Sequence, residues 1–413
     1  MTARLAVWWI GEPGAAARVG ELESLEAGGL RFRYAADWDG VALSISMPRR
    51  EAPYESEATS FFANLLPEGL ARSRVCARLQ ISEGNDFGLL AAIGGECAGA
   101  LSLLPEGVTP DLDPQPYELL DEKTRGALGR DDGLVPLLLG GAETRLSLAG
   151  AHDKLPVFAD GEELYLPLRH APSTHILKIA HPTLKHVPEN EALVTWFAAE
   201  LGFDVPEVRL LAVPSMLLVE RYDRRRGDAW SVQRLHQEDF CQATGGPPSR
   251  KYELEGGPSL ESCVAVVRRH GREPLRDVMR ILRWALFNVL AGNSDAHGKN
   301  VSLLYDHGAA PRVAPFYDLV CTAAYPRLAR DLAMSLGGEA DPGKLSHRHL
   351  DALSASLGVG RALARRLASE LAEGAGAALE RATQRFLSIR GDHPILQMVP
   401  PIIEKRARRM ARW

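Results

Sequence analysis

Nine polar or small residues, GNSDAHGKN at positions 292–300, separate two strongly apolar stretches, ILRWALFNVLA and VSLLY. Both flanks read as buried, so the segment between them is held from either side. A plain turn needs two to five residues and favours Gly, Asn, Asp or Pro for their backbone freedom. This segment also carries Asp295, His297 and Lys299, more chemistry than a turn requires. Any fold adopted by the chain must fix a polar loop between a helix that ends at Gly292 and a following strand.

The chain around it has 413 residues, enough for two or three domains, or for one large domain with lobes. Hydrophobic residues make up 46% and charged residues 24%, the balance of an ordinary globular protein. The formal net charge of −5 argues against nucleic-acid binding by the surface as a whole. The five cysteines form no C-x-x-C pair, which points away from a disulfide framework or zinc ribbon and towards a reducing compartment. No apolar run reaches membrane-spanning length, and the start lacks the long apolar core of a secretory signal. The expectation is a cytoplasmic protein without a membrane span.

Short β-forming runs open the chain: LAVWWI, LRFRYA and ALSISMP, with a helix expected near ATSFFANLLPEGLARSRVCARLQ. Pro105, Pro110, Pro114 and Pro116 then mark a boundary. Beyond it KLPVFADGEELYLPL reads as a hairpin turning at Asp160-Gly161, and THILKIA as a strand. ENEALVTWFAAELG reads as an amphipathic helix stopped by Gly202, and EVRLLAVPSMLLVERYDR as two strands. Helices follow: QEDFCQATG, SLESCVAVVRRHG, PLRDVMRILRWALFNVLAG and the Ala-rich GRALARRLASELAEG. The expected class is α+β. It comprises an amino-terminal β-rich subdomain (1–105), a small α/β lobe (118–222) and a mainly helical lobe (223–413). A sheet lobe followed by a helical lobe is one way to build a nucleotide cleft.

Asp295 and Asn300 are five residues apart, the D-x-x-x-x-N interval of a protein-kinase catalytic loop. There the Asp takes the proton of the acceptor hydroxyl and the Asn holds magnesium. Taken alone, the interval also suits an ordinary polar turn. Eighteen residues on, past a second expected hairpin, Asp318 stands in YDL, where a metal-chelating Asp would follow such a loop. Carboxylate and amide oxygens on one rigid hairpin suit Mg2+. The next residues are LV, unlike the FG of ordinary protein kinases. Lys178 lies on an apolar strand, costly unless paired, and the next helix offers Glu189 and Glu191. SLAGAHDK contributes the small Ala149, Gly150 and Ala151, then His152, Asp153 and Lys154, where backbone N–H groups can approach phosphate. Glu220, Arg221 and Tyr222 end a strand where a hinge would offer backbone groups to an adenine. The features occur in kinase order.

Together SLAGAHDK, THILK, ENEALV, LLVERYDR, RLHQEDFCQATG, KYELEGGPSL, GNSDAHGKN, APFYDLV and AMSLGG resemble the HipA family of serine/threonine kinase toxins from bacterial toxin–antitoxin systems. NLLPEG and LLAAIGGECAGALSLLP resemble its amino-terminal subdomain, so the likeness spans nearly the whole chain. The resemblance implies a two-lobed protein-kinase-like fold using ATP and Mg2+. It implies Asp295 as base, with His297 and Lys299 in the same loop, and Asn300 and Asp318 as metal ligands. ATP contacts would come from residues 149–154, Lys178, residues 220–222 and Tyr317. Ser147 falls where the family's inhibitory autophosphorylation serine lies. The family loop usually carries Gln where this chain has His152. The implied partners are a HipB-like helix-turn-helix antitoxin, DNA reached through that antitoxin, and a protein substrate of the aminoacyl-tRNA synthetase kind. A small-molecule kinase on the same scaffold, or a kinase-like co-repressor subunit, are the competing readings.

Overall fold

Alternation builds the first sheet. β1 (Arg4–Trp9), β2 (Ala17–Ser24) and β3 (Leu30–Tyr34) place Leu5 opposite Leu22 and Leu22 opposite Phe32, all fully buried. ALSISMP is not the expected strand. It bends, with a single bridge from Ser44 to Met47. The Ser44 hydroxyl and the Ile45 N–H instead donate to the Glu238 carboxylate, which takes the place of ladder partners. The single expected helix is two, α1 (Ser56–Ala63) and α2 (Gly69–Leu79). Pro67 lies between them, without an N–H and unfavourable to helix at the residue before it. α3 (Asp86–Ile93) starts at Asn85, whose side chain caps Gly88 N–H. β4 (Leu101–Pro105) completes an antiparallel sheet of order β3-β2-β1-β4 over a core that includes Phe32, Tyr54, Phe61 and Phe62.

The computed structural model describes residues 3–26, 28–111, 117–128, 154–169, 171–180, 183–212, 215–228, 230–308 and 310–413. Ser147 and positions 149–153 of the expected phosphate loop lie outside these residues. Beyond β5 (Tyr117–Leu119) and α4 (Glu122–Leu128), the hairpin of β6 (Lys154–Asp160) and β7 (Glu163–Pro167) turns at Gly161, φ +58°. β8 (His175–Ile179) pairs with β6 antiparallel. α5 (Val187–Glu200) ends near Gly202, as expected, yet it is not amphipathic. Every residue from 187 to 198 is buried, including Glu189, Asn190 and Glu191. An all-round buried helix must have polar partners found for its polar residues.

β9 (Val208–Leu211) and β10 (Met216–Glu220) are the two expected strands. β11 (Arg224–Arg226), β12 (Val232–Arg234) and β13 (His236–Asp239) follow, so the region after Asp223 begins with strands. QEDFCQATG yields only the one-turn α6 (Phe240–Ala243), opened by an Asp239/Gln242 capping box. Amphipathic α7 (Leu260–His270) and α8 (Pro274–Ala291) lead to β14 (Ser302–Tyr305) and β15 (Arg312–Val313). α9 (His347–Ser356), α10 (Arg361–Arg390) and α11 (Ile395–Met410) end the chain. No helix among the described residues is long and apolar enough to cross a membrane.

The chain divides into two compact units, each assembled from three stretches. One comprises Met1–Ile179, Leu218–Pro248 and Leu304–Ala309; the other comprises Ala180–Leu217, Ser249–Leu303 and Ala310–Trp413. In the first unit the strand order β5-β7-β6-β8-β10 forms a second sheet. Within that unit a buried ion network links distant sequence. Glu96 meets Arg221 at 3.0 Å and Arg224 at 2.6 Å, and Asp223 meets Arg221 at 2.8 Å and Arg224 at 2.9 Å. Burial alone would raise the Glu96 carboxyl; Arg221, Arg224 and Arg234 outweigh it and hold it below its ordinary value. Among the described residues, no cation pairs with Glu238, which is also in this unit. Burial pushes it up to about 7, despite bonds from Ser44, Ile45 N–H and Tyr305 Oη at 2.5 Å.

Candidate active site

The catalytic-loop candidate belongs to the second unit. α8 presents an apolar face that buries Ile281, Leu282, Leu286 and Leu290, and it stops at Gly292 in the left-handed region, φ +75°. A Cβ there would lie 3.1 Å from Ile402 and 3.2 Å from Ala323 and Cys321, so the position demands glycine twice over. The loop then folds on itself. The Asp295 N–H donates to Asn293 Oδ1 at 3.1 Å, and the His297 N–H to Asp295 O at 2.9 Å. Asn300 Nδ2 donates to Asp295 O at 2.9 Å. That bond orients the amide of Asn300 and commits its nitrogen, which leaves Oδ1 as the atom suited to a hard cation. Asp295 is half-buried, while His297, Lys299 and Asn300 are buried.

Two tyrosines tie the loop down. Tyr252 Oη donates to Asp295 Oδ1 at 2.7 Å, and its ring meets His297 edge-on at 5.3 Å. Tyr317 Oη donates to Lys299 O at 2.6 Å and contacts Ser302 Oγ at 2.7 Å. Next to Tyr317, Asp318 is half-buried and left-handed, φ +58°. Few residues tolerate that conformation, and Asp is among those that do. Asn190 on α5 fixes the segment just beyond. Its Nδ2 donates to Cys321 O at 3.1 Å and its Oδ1 accepts Cys321 N–H at 2.8 Å. Asn190 is fully buried, and this bidentate grip explains a polar residue in a helix buried all round.

The lysine strand belongs to the first unit. Lys178 is 8% exposed, and the register of β6 against β8 sets Lys154 directly opposite it. Like charges directly opposite on a sheet repel. The two lysine positions are thus brought side by side across the strand pair. Glu220 is exposed at the end of β10. Arg221 serves the buried network through its guanidinium, while its N–H donates to Thr174 O at 2.9 Å. The Tyr222 hydroxyl donates to Gln237.

Sequence reasoning placed no role on Tyr252, Asn190 or Glu96. Tyr252 and Glu96 lie within KYELEGGPSL and LLAAIGGECAGALSLLP, stretches that resemble the HipA family, and that likeness is the signal the sequence carries for them. Asn190 sits in ENEALV between Glu189 and Glu191, whose charges are the stronger local signal.

Comparisons with known proteins give the family and the fold. Residues 7–104 match the HipA N-terminal domain and residues 146–379 the HipA-like C-terminal domain. The chain belongs to the HipA family. It is 40% identical over 398 residues to the kinase candidate Y4mE of Sinorhizobium fredii, covering 92% of each chain. It is 32% identical over 383 residues to the serine/threonine-protein kinase toxin HipA of Shewanella oneidensis, covering 86% of each. The solved structure of HipA from Shewanella oneidensis MR-1, in a complex with HipB and its operator DNA, superposes with a TM-score of 0.85. The match has 29% identity over 99% of this chain and 97% of that one. The mixed α/β fold is thus that of HipA, and the chain's relatives are kinase-like.

Proposed function

We propose that this chain is a serine/threonine protein kinase using magnesium-ATP, the toxin of a toxin–antitoxin pair. The observation that carries the reading is the self-bonded loop: Asp295 held by Tyr252, and Asn300 oriented by Asp295 O. An acceptor hydroxyl oxygen attacks the γ-phosphorus, and Asp295 takes the hydroxyl proton. The bond to the β,γ-bridging oxygen breaks, and ADP leaves with its electron pair. Mg2+, when bound, neutralises phosphate charge; Asn300 Oδ1 and the Asp318 carboxylate are the groups to hold it. Lys154 and Lys178 bind the phosphates from their facing positions. Ser147, when phosphorylated, competes for the same donors and lowers ATP affinity. A HipB-like helix-turn-helix protein is the partner that contacts DNA, and an aminoacyl-tRNA synthetase is the substrate class to test first.

The decisive experiment is transfer of radiolabel from γ-labelled ATP. Asp295→Asn abolishes transfer while sparing nucleotide affinity, and Asp318→Asn lowers both. Wild-type transfer by the Asp295 variant ends the assignment. Mass spectrometry after incubation with magnesium-ATP should find phosphate on Ser147, with ATP affinity reduced.

A further inference from the structure

The turn between α10 and α11 and the start of α5, both in the second unit, bring together His186, Glu189 and His393. Their ligand atoms all lie within 4.8 Å of one another. None belongs to the loop that carries Asp295 and Asn300 or to the segment of Asp318. We propose that these three residues form a binding site for a divalent transition metal of the zinc class, separate from the magnesium of catalysis.

Four observations support it. First, the donors are two imidazoles and one carboxylate, a set that suits zinc and not magnesium, which prefers oxygen ligands. Second, one edge of the trio already has the length found in a coordination shell. Ligands about 2.0–2.1 Å from zinc in a tetrahedron stand roughly 3.4 Å apart. His393 Nε2 lies 3.6 Å from Glu189 Oε1, too long for a good hydrogen bond but close to that edge length. The His186 and His393 rings meet edge-on with centroids 4.6 Å apart. Third, Glu189 is a carboxylate only 3% exposed. Ser215 Oγ donates to it at 2.6 Å, and its cationic neighbours stay at a distance. Arg390 Nε stands 3.9 Å away and finds no hydrogen-bond partner among the described residues. A buried carboxylate so sparsely bonded gains from a cation placed among the three side chains. Fourth, the backbone is bent to present His186. It precedes α5 in the left-handed region, φ +64°, which puts its ring beside Glu189 one turn on.

Arg390 is the group that opposes a metal, since its charge competes for the same carboxylate. This yields a sign that a simple ion-pair cluster does not share. Removing Arg390 should tighten metal binding, whereas removing either histidine should weaken it.

The test uses the full chain, stripped with chelator and titrated with Zn2+ by calorimetry, and with Co2+ by visible absorption. The expected result is one tight Zn2+ per chain and histidine-type Co2+ bands. His393→Ala and His186→Asn should each weaken Zn2+ binding about 100-fold or more. His186→Asn keeps a side chain that tolerates the left-handed backbone, so it separates lost ligation from lost folding. Arg390→Ala should bind more tightly, and Asp318→Asn should keep the site. Equal thermal midpoints in chelator confirm that the variants fold. Absence of stoichiometric zinc from the wild type, or unchanged affinity in His186→Asn and His393→Ala, overturns the proposal. Neither outcome bears on phosphoryl transfer.

Discussion

In the proposed mechanism Tyr252 is the residue that aims Asp295. A carboxylate that must accept a proton has to be aimed, and the 2.7 Å bond from Tyr252 Oη aims it. Tyr252→Phe removes that bond and little volume. We expect kcat to fall by about tenfold, some 1.4 kcal/mol of barrier, with KM for ATP unchanged. Steady-state kinetics of the two proteins decide it, and a change in KM alone would refute it. Glu238 gives a second expectation at this scale. Its carboxyl titrates near 7 when folded and near 4.5 otherwise, so the protonated form favours folding. Its contribution is complete below about 4.5 and is lost as pH rises through about 7, on the order of 3 kcal/mol in all. Glu238→Gln mimics the protonated group. It should be more stable than wild type at pH 8, with the two converging towards pH 5. Denaturant melts at both pH values test this, and parallel curves would contradict it.

At the scale of elements, much was legible wherever periodicity was strong. α8, with its Gly292 stop, follows from a long amphipathic run, and the β6–β7 hairpin from its Asp-Gly turn. What failed were segments whose partners lie far away in sequence. ALSISMP alternates like a strand, yet Glu238 takes its donors, and no local rule sees a residue nearly two hundred positions on. α5 reads as amphipathic because Glu189, Asn190 and Glu191 are polar, yet each is buried. Asp295 and Asn300 could be picked out by spacing; the bonds that orient them through Tyr252 and Asp295 O could not. The helix end supplies a prediction. Gly292→Ala must hold a left-handed backbone and press its methyl on Ile402, Ala323 and Cys321. We expect a loss of about 2 kcal/mol in chemical denaturation. A loss below half that would show that the neighbours yield.

For the whole molecule, the interleaving of the units matters most. The segment that matches the HipA N-terminal domain, residues 7–104, contains Glu96 but none of its arginines. Arg221 and Arg224 come from Leu218–Pro248, after an excursion through the other unit. Breaking a buried ion pair on one side costs about 3–5 kcal/mol, a large part of a small domain's stability. A fragment of residues 1–105 should therefore lack a cooperative melt when expressed alone. The same fragment with Glu96→Gln should recover part of its fold, because the unpaired charge is gone. Circular dichroism on the two fragments checks this, and a sharp melt by the unaltered fragment would show that the network is dispensable.

Asp318 carries a left-handed backbone beneath the side chain expected to chelate magnesium. Its two duties pull against each other: the backbone would be most at ease with glycine, while the chemistry needs a carboxylate. Asp318→Gly and Asp318→Ala both delete the carboxylate, so both should be inactive. Only alanine keeps the conformational strain, and it should be less stable than glycine by about 1 kcal/mol in denaturant melts. On the proposed mechanism the protein would thus give up about that much durability at this one position in exchange for a metal ligand.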